Sequence, residues 1–358
     1  MGKTIGVLGA GQLGRMLAQE GLPLGHTFRF FDPSPSPCAA AFGEHVQASY
    51  DDREALERFA KGLDALTWEF ENVPIEAVET LRKWVPVTPS SRSLYIAQDR
   101  IREKEHFLSL GLGTAPFAEA NDLRSCKAAI QRIGLPVILK TCGGGYDGKG
   151  QARVEHEEQV EAAWASLGSD RVIVEGMIAF QREVSVIVVR THEGESACWP
   201  IARNHHRDGI LSDSYVPTPG LTDDMRHALE DAAKRLAASL EHVGVLCLEC
   251  FDLGDTFLCN ELAPRVHNSG HWTIDGAQTS QFSNHVRAIA GETLGATALR
   301  EGVASVQMRN IIGEPSVPAP PNVEDSTEHM HWYDKAPRPG RKIGHVTYTS
   351  PTPGTLNR

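Results

Sequence analysis

The order of secondary structure in the first ninety residues constrains the fold more than any other feature. Thr4–Leu8 is a short apolar run that ends at glycines, and Gln12–Gly21 sets Leu13, Met16 and Leu17 on one face at helical spacing. Thr27–Phe31 reads as a second strand, Glu54–Ala60 as a helix and Leu63–Trp68 as a strand; Pro74 opens a helix over Ile75–Trp84. Strands separated by helices cannot pair as hairpins. They form a parallel sheet with helices on both faces. This unit ends near Pro86–Ser91, where prolines, serines and threonine cluster.

The rest of the chain has a different rhythm. A long helix over about Ser93–Leu110 leads to a helix at Leu123–Ile133, a strand at Val137–Thr141, a glycine-rich loop at Gly143–Gly150 and a strand at Gln151–Val154. A helix over Glu157–Leu167 follows, then strand-like runs at Arg171–Glu175, Glu183–Arg190 and Ala197–Asn204, and an amphipathic helix over Asp223–His242. Val243–Leu253 and Thr256–Leu262 form a hairpin around Gly254-Asp255. Beyond Leu299, strands are expected at Ser305–Ile311, His329–Tyr333 and His345–Tyr348, with a proline-rich connection at Pro315–Pro321. A length of 358 residues fits two or three domains.

Composition narrows the function classes. The chain carries 35 Lys and Arg against 46 Asp and Glu, a formal net charge of −11, so a general nucleic-acid partner is not expected. A local basic pocket for a small anion is still compatible with that balance. Seven scattered cysteines do not form a secreted disulfide framework. The start has no signal-peptide pattern and matches a myristoylation site poorly. No apolar run reaches the ~20 residues of a membrane span. The expectation is a soluble cytoplasmic protein with no membrane partner.

Three features carry chemistry. Gly9-x-Gly11-x-x-Gly14 follows a strand and opens a helix, with Asp32 ending the next strand, as a dinucleotide site would have it. Another phosphate-bearing ligand fits the same physics, and so does a tight turn without a nucleotide. The loop Gly143–Gly150 sets five glycines around Tyr146, Asp147 and Lys149 between two strands. No helix or Ser/Thr follows the lysine, so it is not a Walker A loop; a glycine flap over a triphosphate, with Lys140 on the preceding strand, or an ordinary flexible hairpin both suit it. In the hairpin, Glu249 and Glu261 lie equally far from Asp255 and so face each other across the ladder. Opposed Cβ atoms lie only ~4.5–5.5 Å apart, where like charges repel. A divalent cation such as Mg²⁺ resolves that repulsion, as does a solvated pair or one protonated acid. Cys247 and Cys250 nearby point to opposite faces of a strand and read as core residues. His205-His206 lacks ligand-spaced partners for zinc. Arg265–His271 is a polar run beside the acids, and Lys335, Arg338, Arg341 and Lys342 form a basic cluster suited to a substrate phosphate or to a solvated turn.

Together these motifs resemble the ATP-grasp enzymes, and within them the N5-carboxyaminoimidazole ribonucleotide synthetases of purine biosynthesis, also called the ATPase subunit of phosphoribosylaminoimidazole carboxylase. The likeness rests on GAGQLGRM from Gly9, WEFENVP from Trp68, GGYDGKGQ from Gly144, LECF from Leu248, NELAPRVHNSGHWT from Asn260, HWYDK from His331 and RPGRKIGH from Arg338. It implies an α/β and α+β protein. An N-terminal biotin-carboxylase-like parallel-sheet domain would span 1–92, a two-lobed ATP-grasp domain 93–298, and a small β-rich C-terminal domain 299–358.

The resemblance also implies site residues. Arg100 and Lys140 would contact phosphates beneath a flap of Gly145, Tyr146, Asp147, Gly148, Lys149, Gly150 and Gln151. Glu175, Gly176, Met177 and Ile178 would line adenine, Glu183 would hold ribose hydroxyls, and His206 would join the nucleotide site. Glu249 and Glu261 would bind Mg²⁺ with Asn260 adjacent. Gly11, Gln12, Leu13, Glu71, Arg265, Lys335, Arg341 and Lys342 would hold 5-aminoimidazole ribonucleotide. Arg265 would clamp bicarbonate and carboxyphosphate, and His267 and Tyr146 would order groups or move protons, with Lys335 as a further catalytic residue. ATP and Mg²⁺ are the implied cofactors, a separate mutase the downstream partner, and a homodimer the assembly. Relatives often continue past Tyr348 with a helical segment. The rival readings are an NAD-dependent dehydrogenase, an ATP-grasp ligase for another amine such as glycinamide ribonucleotide, and a nucleotide-binding regulator without turnover.

Overall fold

The computed structural model describes residues 2–144, 150–316 and 325–352. Its first unit is β1 (Thr4–Leu8), α1 (Gln12–Gly21), β2 (Thr27–Phe31), β3 (Glu44–Val46), α2 (Arg53–Ala60), β4 (Ala65–Trp68) and α3 (Ile75–Leu81). The sheet order is β3-β2-β1-β4 with every pair parallel, as the alternation requires. The expected helix over Ser93–Leu110 is two helices, α4 (Ser91–Ala97) and α5 (Arg100–Ser109). Asp99 divides them because its carboxylate accepts from the Ile101 and Arg102 amides and caps the second helix.

A small lobe follows: β5 (Phe117–Ala120), α6 (Leu123–Ile133), β6 (Val137–Thr141), β7 (Gln151–Val154), α7 (Val160–Leu167) and β8 (Val172–Gly176). Its sheet runs β5-β8-β6-β7, all antiparallel.

The large lobe contains β9 (Arg182–Arg190), β10 (Ser196–Cys198), β11 (Ala202–Arg207), β12 (Ile210–Val216), α8 (Asp223–Ser239), β13 (Gly244–Asp252), β14 (Phe257–Ala263), α9 (Thr273–Gly276) and α10 (Gln281–Ala290). The run expected as one strand over Ala197–Asn204 is β10 and β11, interrupted at Trp199-Pro200-Ile201. The last strands are β15 (Ser305–Ile312), β16 (Thr327–Trp332) and β17 (Lys342–Ser350). They do not close on themselves. β15 pairs with β12, so the order β14-β13-β9-β11-β12-β15-β17-β16 makes one continuous sheet.

α10 locks the first unit to this sheet. Phe282, Val286 and Ile289 share one core with Ile5, Val7 and Leu17 on one side and Val245 and Cys247 on the other. Polar contacts reinforce the junction: Trp68 Nε1 donates to the Pro264 carbonyl at 3.2 Å, and Thr67 Oγ1 lies 2.9 Å from His285 Nε2. Cys247 belongs to that core and Cys250 to the one beneath α8, so the two thiols do face opposite ways. Among the described residues, no helix is long and apolar enough to cross a membrane.

Candidate active site

Glu249 and Glu261 are direct cross-strand partners. The route to that register differs from a symmetric hairpin. Near the turn, Cys250 pairs with Cys259 and Phe251 with Leu258; a bulge at Asn260 then adds one residue and brings Glu261 opposite Glu249. Burial pushes the Glu249 carboxyl up to about 7, with Glu261 and Glu183 adding to the rise against His206. Glu249 Oε1 lies 3.4 Å from Ser185 Oγ and 3.8 Å from His267 Nε2. His206 is ion-paired with Glu183; burial works against its proton, but this contact and Glu249 outweigh burial and raise its pKa. A strand irregularity between His205 and His206 precedes this contact.

A cationic wall faces these acids. Arg100 Nη1 lies 3.3 Å from Glu261 Oε2, and the Arg100 amide donates to the Cys142 carbonyl at 2.8 Å, which anchors the start of α5 at the root of the glycine loop. Lys140 Nζ is 2.7 Å from Glu175 Oε2, and Lys104 Nζ is 3.6 Å from Glu175 Oε1. Burial opposes ionisation of Glu175, yet the two lysines and Arg100 hold it down to about 2. Burial lowers Lys140. Glu175 thus turns its side chain onto Lys140 and Lys104. The stretch Glu175–Ile178 does lead from the small sheet to the large one, where Met177 N donates to the Pro136 carbonyl at 3.1 Å. Glu103, pushed up to about 8 by burial and Glu261, accepts from the Leu262 amide at 2.6 Å. Lys104 donates to the Asn260 carbonyl at 3.0 Å. Sequence reasoning missed Glu103 and Lys104; their signal was the helical spacing from Arg100.

Glu71, Gln98, Arg100, Gly143, Gly144 and Glu261 line a cleft. At its edge, partly buried Arg265 binds Glu71 through Nε and the Val266 carbonyl through Nη1 at 3.0 Å. Glu71 falls to about 2 because Arg265 overcomes its burial. Gln98 Nε2 donates to the Glu71 and Val73 carbonyls at 2.9 and 2.7 Å and fixes that loop. His267 Nδ1 lies 2.8 Å from Ser269 Oγ and accepts from the Ser269 amide at 3.3 Å, and burial with Arg265 and Lys342 holds the ring down to about 3. Because Nδ1 accepts from the Ser269 amide, the tautomer this geometry supports carries its proton on Nε2, on the side of Glu249.

Two backbone amides of the first glycine turn are engaged within the protein. The Gly11 and Gly14 amides donate to the Glu69 carboxylate, the latter at 2.7 Å. A Cβ on Gly9 would lie 2.5 Å from Glu69 Cγ, and one on Gly11 2.6 Å from Glu69 Oε1. The glycines therefore make room for an internal carboxyl group at the helix start, whose pKa burial raises against the two amide hydrogen bonds. Asp32 is likewise turned inward, accepting from the Ala10 and Ser34 amides at 3.0 and 2.7 Å, and is not presented to a ribose. Leu13 packs its side chain into the core, which leaves its backbone as its only route to a ligand. Gln12 contacts Lys335, Arg15 contacts Asp334, and Arg341 Nη1 donates to the Ala336 carbonyl at 3.1 Å. Lys342 opens β17. Gly150 accepts from the Thr141 amide at 2.9 Å and Gln151 pairs with Lys140, while Gly145, Tyr146, Asp147, Gly148 and Lys149 lie outside the described residues.

Comparison with known proteins decides the family. The chain matches the ribonucleotide synthetase preATP-grasp domain over residues 1–98, the ATP-grasp domain over 105–282 and the phosphoribosylaminoimidazole carboxylase C-terminal domain over 307–358. It is 47% identical to the N5-carboxyaminoimidazole ribonucleotide synthase of Pseudomonas aeruginosa, across 98% of this chain and 96% of that one. The chain belongs to the N5-carboxyaminoimidazole ribonucleotide synthase family. The crystal structure of the synthetase from Thermus thermophilus is 47% identical, with a TM-score of 0.89 over 97% of this chain and 94% of that one. The Aspergillus clavatus synthase, solved with ADP and 5-aminoimidazole ribonucleotide, is 31% identical, with a TM-score of 0.88 over 98% and 94% of the two chains. Membership makes the chain an ATP-grasp ligase and removes the dehydrogenase reading, in line with the inward-turned Asp32 and Glu69.

Proposed function

We propose that this enzyme carboxylates the exocyclic amine of 5-aminoimidazole ribonucleotide with bicarbonate, at the expense of ATP, in purine biosynthesis. The observation that carries this is one cleft lined by Glu71, Arg100 and Glu261, with Glu249 paired to Glu261 across the ladder and Arg265 ion-paired to Glu71 beside it. In the reaction, a bicarbonate oxygen attacks the γ-phosphorus and ADP leaves, giving carboxyphosphate. The amine then attacks the carboxyl carbon, loses a proton and expels phosphate. Such chemistry is governed by positioning and charge neutralisation.

The residues divide along that sequence. Lys140 and Arg100 meet the phosphates, under the flap from Gly145 to Gln151. Glu183 and His206 receive the ribose, and the backbone of Glu175–Ile178 receives adenine at the lobe junction. Arg265, held rigid by Glu71, presents a planar cation to bicarbonate and carboxyphosphate. His267 acts as an Nε2–H donor that orders the reacting groups; its neutral ring and acceptor Nδ1 speak against a base at Nε2. Gln12, Lys335, Arg341 and Lys342 hold the ribonucleotide. Glu249 and Glu261 with the Asn260 side-chain carbonyl form an all-oxygen donor set that suits Mg²⁺, and a dication there would offset the burial that raises Glu249 to about 7 and the repulsion from Glu261 and Glu183 that adds to it. When bound, Mg²⁺ supplies neutralisation of phosphate charge. A cytoplasmic homodimer that passes its labile product to a separate mutase completes the proposal.

Bicarbonate labelled with ¹⁸O tests the chemistry. One labelled oxygen appearing in inorganic phosphate, together with carbon incorporation into the ribonucleotide, is expected. Unlabelled phosphate would exclude attack by bicarbonate.

A further inference from the structure

We propose that Asp275, His331 and His345 form a binding site for one transition-metal dication of the zinc class, distinct from the acid pair Glu249 and Glu261. The three side chains offer ligand atoms within 4.8 Å of one another. They come from α9, β16 and β17, and His331 and His345 are direct cross-strand partners whose rings stack at 4.5 Å. His331 Nε2 lies 2.8 Å from Asp275 Oδ2. Two ligands of a tetrahedral zinc sit roughly 3.3 Å apart, given bonds of ~2.0–2.1 Å, so the widest pair closes by up to about 1.5 Å and one of the stacked rings turns to admit the ion.

A second observation points the same way. His345 is fully buried, and among the described residues its Nε2 has no hydrogen-bond partner. Its other nitrogen, Nδ1, lies 2.6 Å from Tyr333 Oη. That outer contact fixes the ring and leaves Nε2 available, the arrangement by which a metal-binding histidine is oriented. His329 stands two residues from His331 on the same face of β16. Its Nε2 is 3.2 Å from Thr349 Oγ1 and its Nδ1 3.7 Å from Asp275 Oδ1, so it stands beside the three-residue group rather than within it. Imidazole nitrogens with one carboxylate favour zinc, cobalt or nickel over magnesium. The ion would tie β16 and β17 to α9. Those strands flank the segment that carries Lys335, Lys342 opens β17, and α9 follows the His267 loop, so the site is a structural staple across the substrate side.

The test uses the untagged full chain, stripped with a chelator and returned to buffer containing excess Mg²⁺. Zinc is titrated in competition with a chromogenic chelator, and Co²⁺ is added separately to read ligand-field absorption. Asp275→Asn and His331→Gln are compared with wild type and with His192→Gln, an exposed histidine elsewhere. Circular dichroism and metal-free melting first establish that each variant is folded. The expected result is one zinc per chain, bound at least tenfold more tightly by wild type and His192→Gln than by the two site variants. Zinc should raise the melting temperature only where it binds. Equal zinc affinity in all four proteins, or no uptake by wild type, would overturn the proposal and leave a hydrogen-bonded Asp–His network.

Discussion

Replacing Glu249 with glutamine separates the cost of the buried acid pair from its use. Burial beside Glu261 moves the Glu249 carboxyl from an ordinary 4.5 to about 7. An acid whose pKa is raised by folding contributes its full stability below the unfolded value and loses it as pH rises through the folded one. At ~1.4 kcal/mol per tenfold, ionising Glu249 costs the metal-free fold about 3 kcal/mol between pH 4.5 and pH 7. Glutamine keeps the shape and removes the charge. Thermal or urea melts of chelator-treated protein from about pH 5 to 8 should show wild type losing stability with pH more steeply than Glu249→Gln, by an amount of that order. Glu103, also raised, adds a slope common to both proteins. Mg²⁺ should flatten the wild-type curve and leave the variant nearly unchanged. Parallel curves for the two proteins would refute the reasoning.

Other expectations follow from named contacts. Glu71→Gln leaves partly buried Arg265 without its counter-charge and should cost up to roughly 3 kcal/mol in urea melts, with ATP cleavage falling as well. His267→Asn should lower kcat but leave the pH limbs of kcat/KM where they are, because a ring held near 3 does not titrate in the working range. Phe282→Ala, at the core joining the first unit to the large sheet, should cost about 3–5 kcal/mol by calorimetry. Lys140→Met should weaken ATP binding and also leave Glu175 with only part of its counter-charge, so its stability at neutral pH should fall below wild type.

The sequence was most readable where the physics is local. The parallel first unit follows from strand–helix alternation, and the small-lobe elements from α6 to β8 appear close to their expected bounds, while the short strand β5 was not anticipated. The facing of Glu249 and Glu261 was also legible, although by a route that hid the Asn260 bulge: a bulge has no signature in a strand whose residues otherwise alternate normally. The break at Asp99 was obscured because Ser91–Ser109 keeps its apolar spacing across the cap. Distant pairings were harder. Nothing local in Glu69 says that it fills the turn at Gly11 and Gly14, and nothing in Ser305–Ile312 says that it extends the large sheet through β12. Arg265 was singled out as an anion clamp, but its anchorage on Glu71 depends on two segments that meet only in the fold.

The most direct test of the central claim is ADP release with Mg-ATP and bicarbonate, with freshly prepared 5-aminoimidazole ribonucleotide, with glycinamide ribonucleotide, or with neither. Stimulation by 5-aminoimidazole ribonucleotide alone is the expected result. Stimulation by glycinamide ribonucleotide, or by neither acceptor in folded and ATP-binding protein, would contradict it.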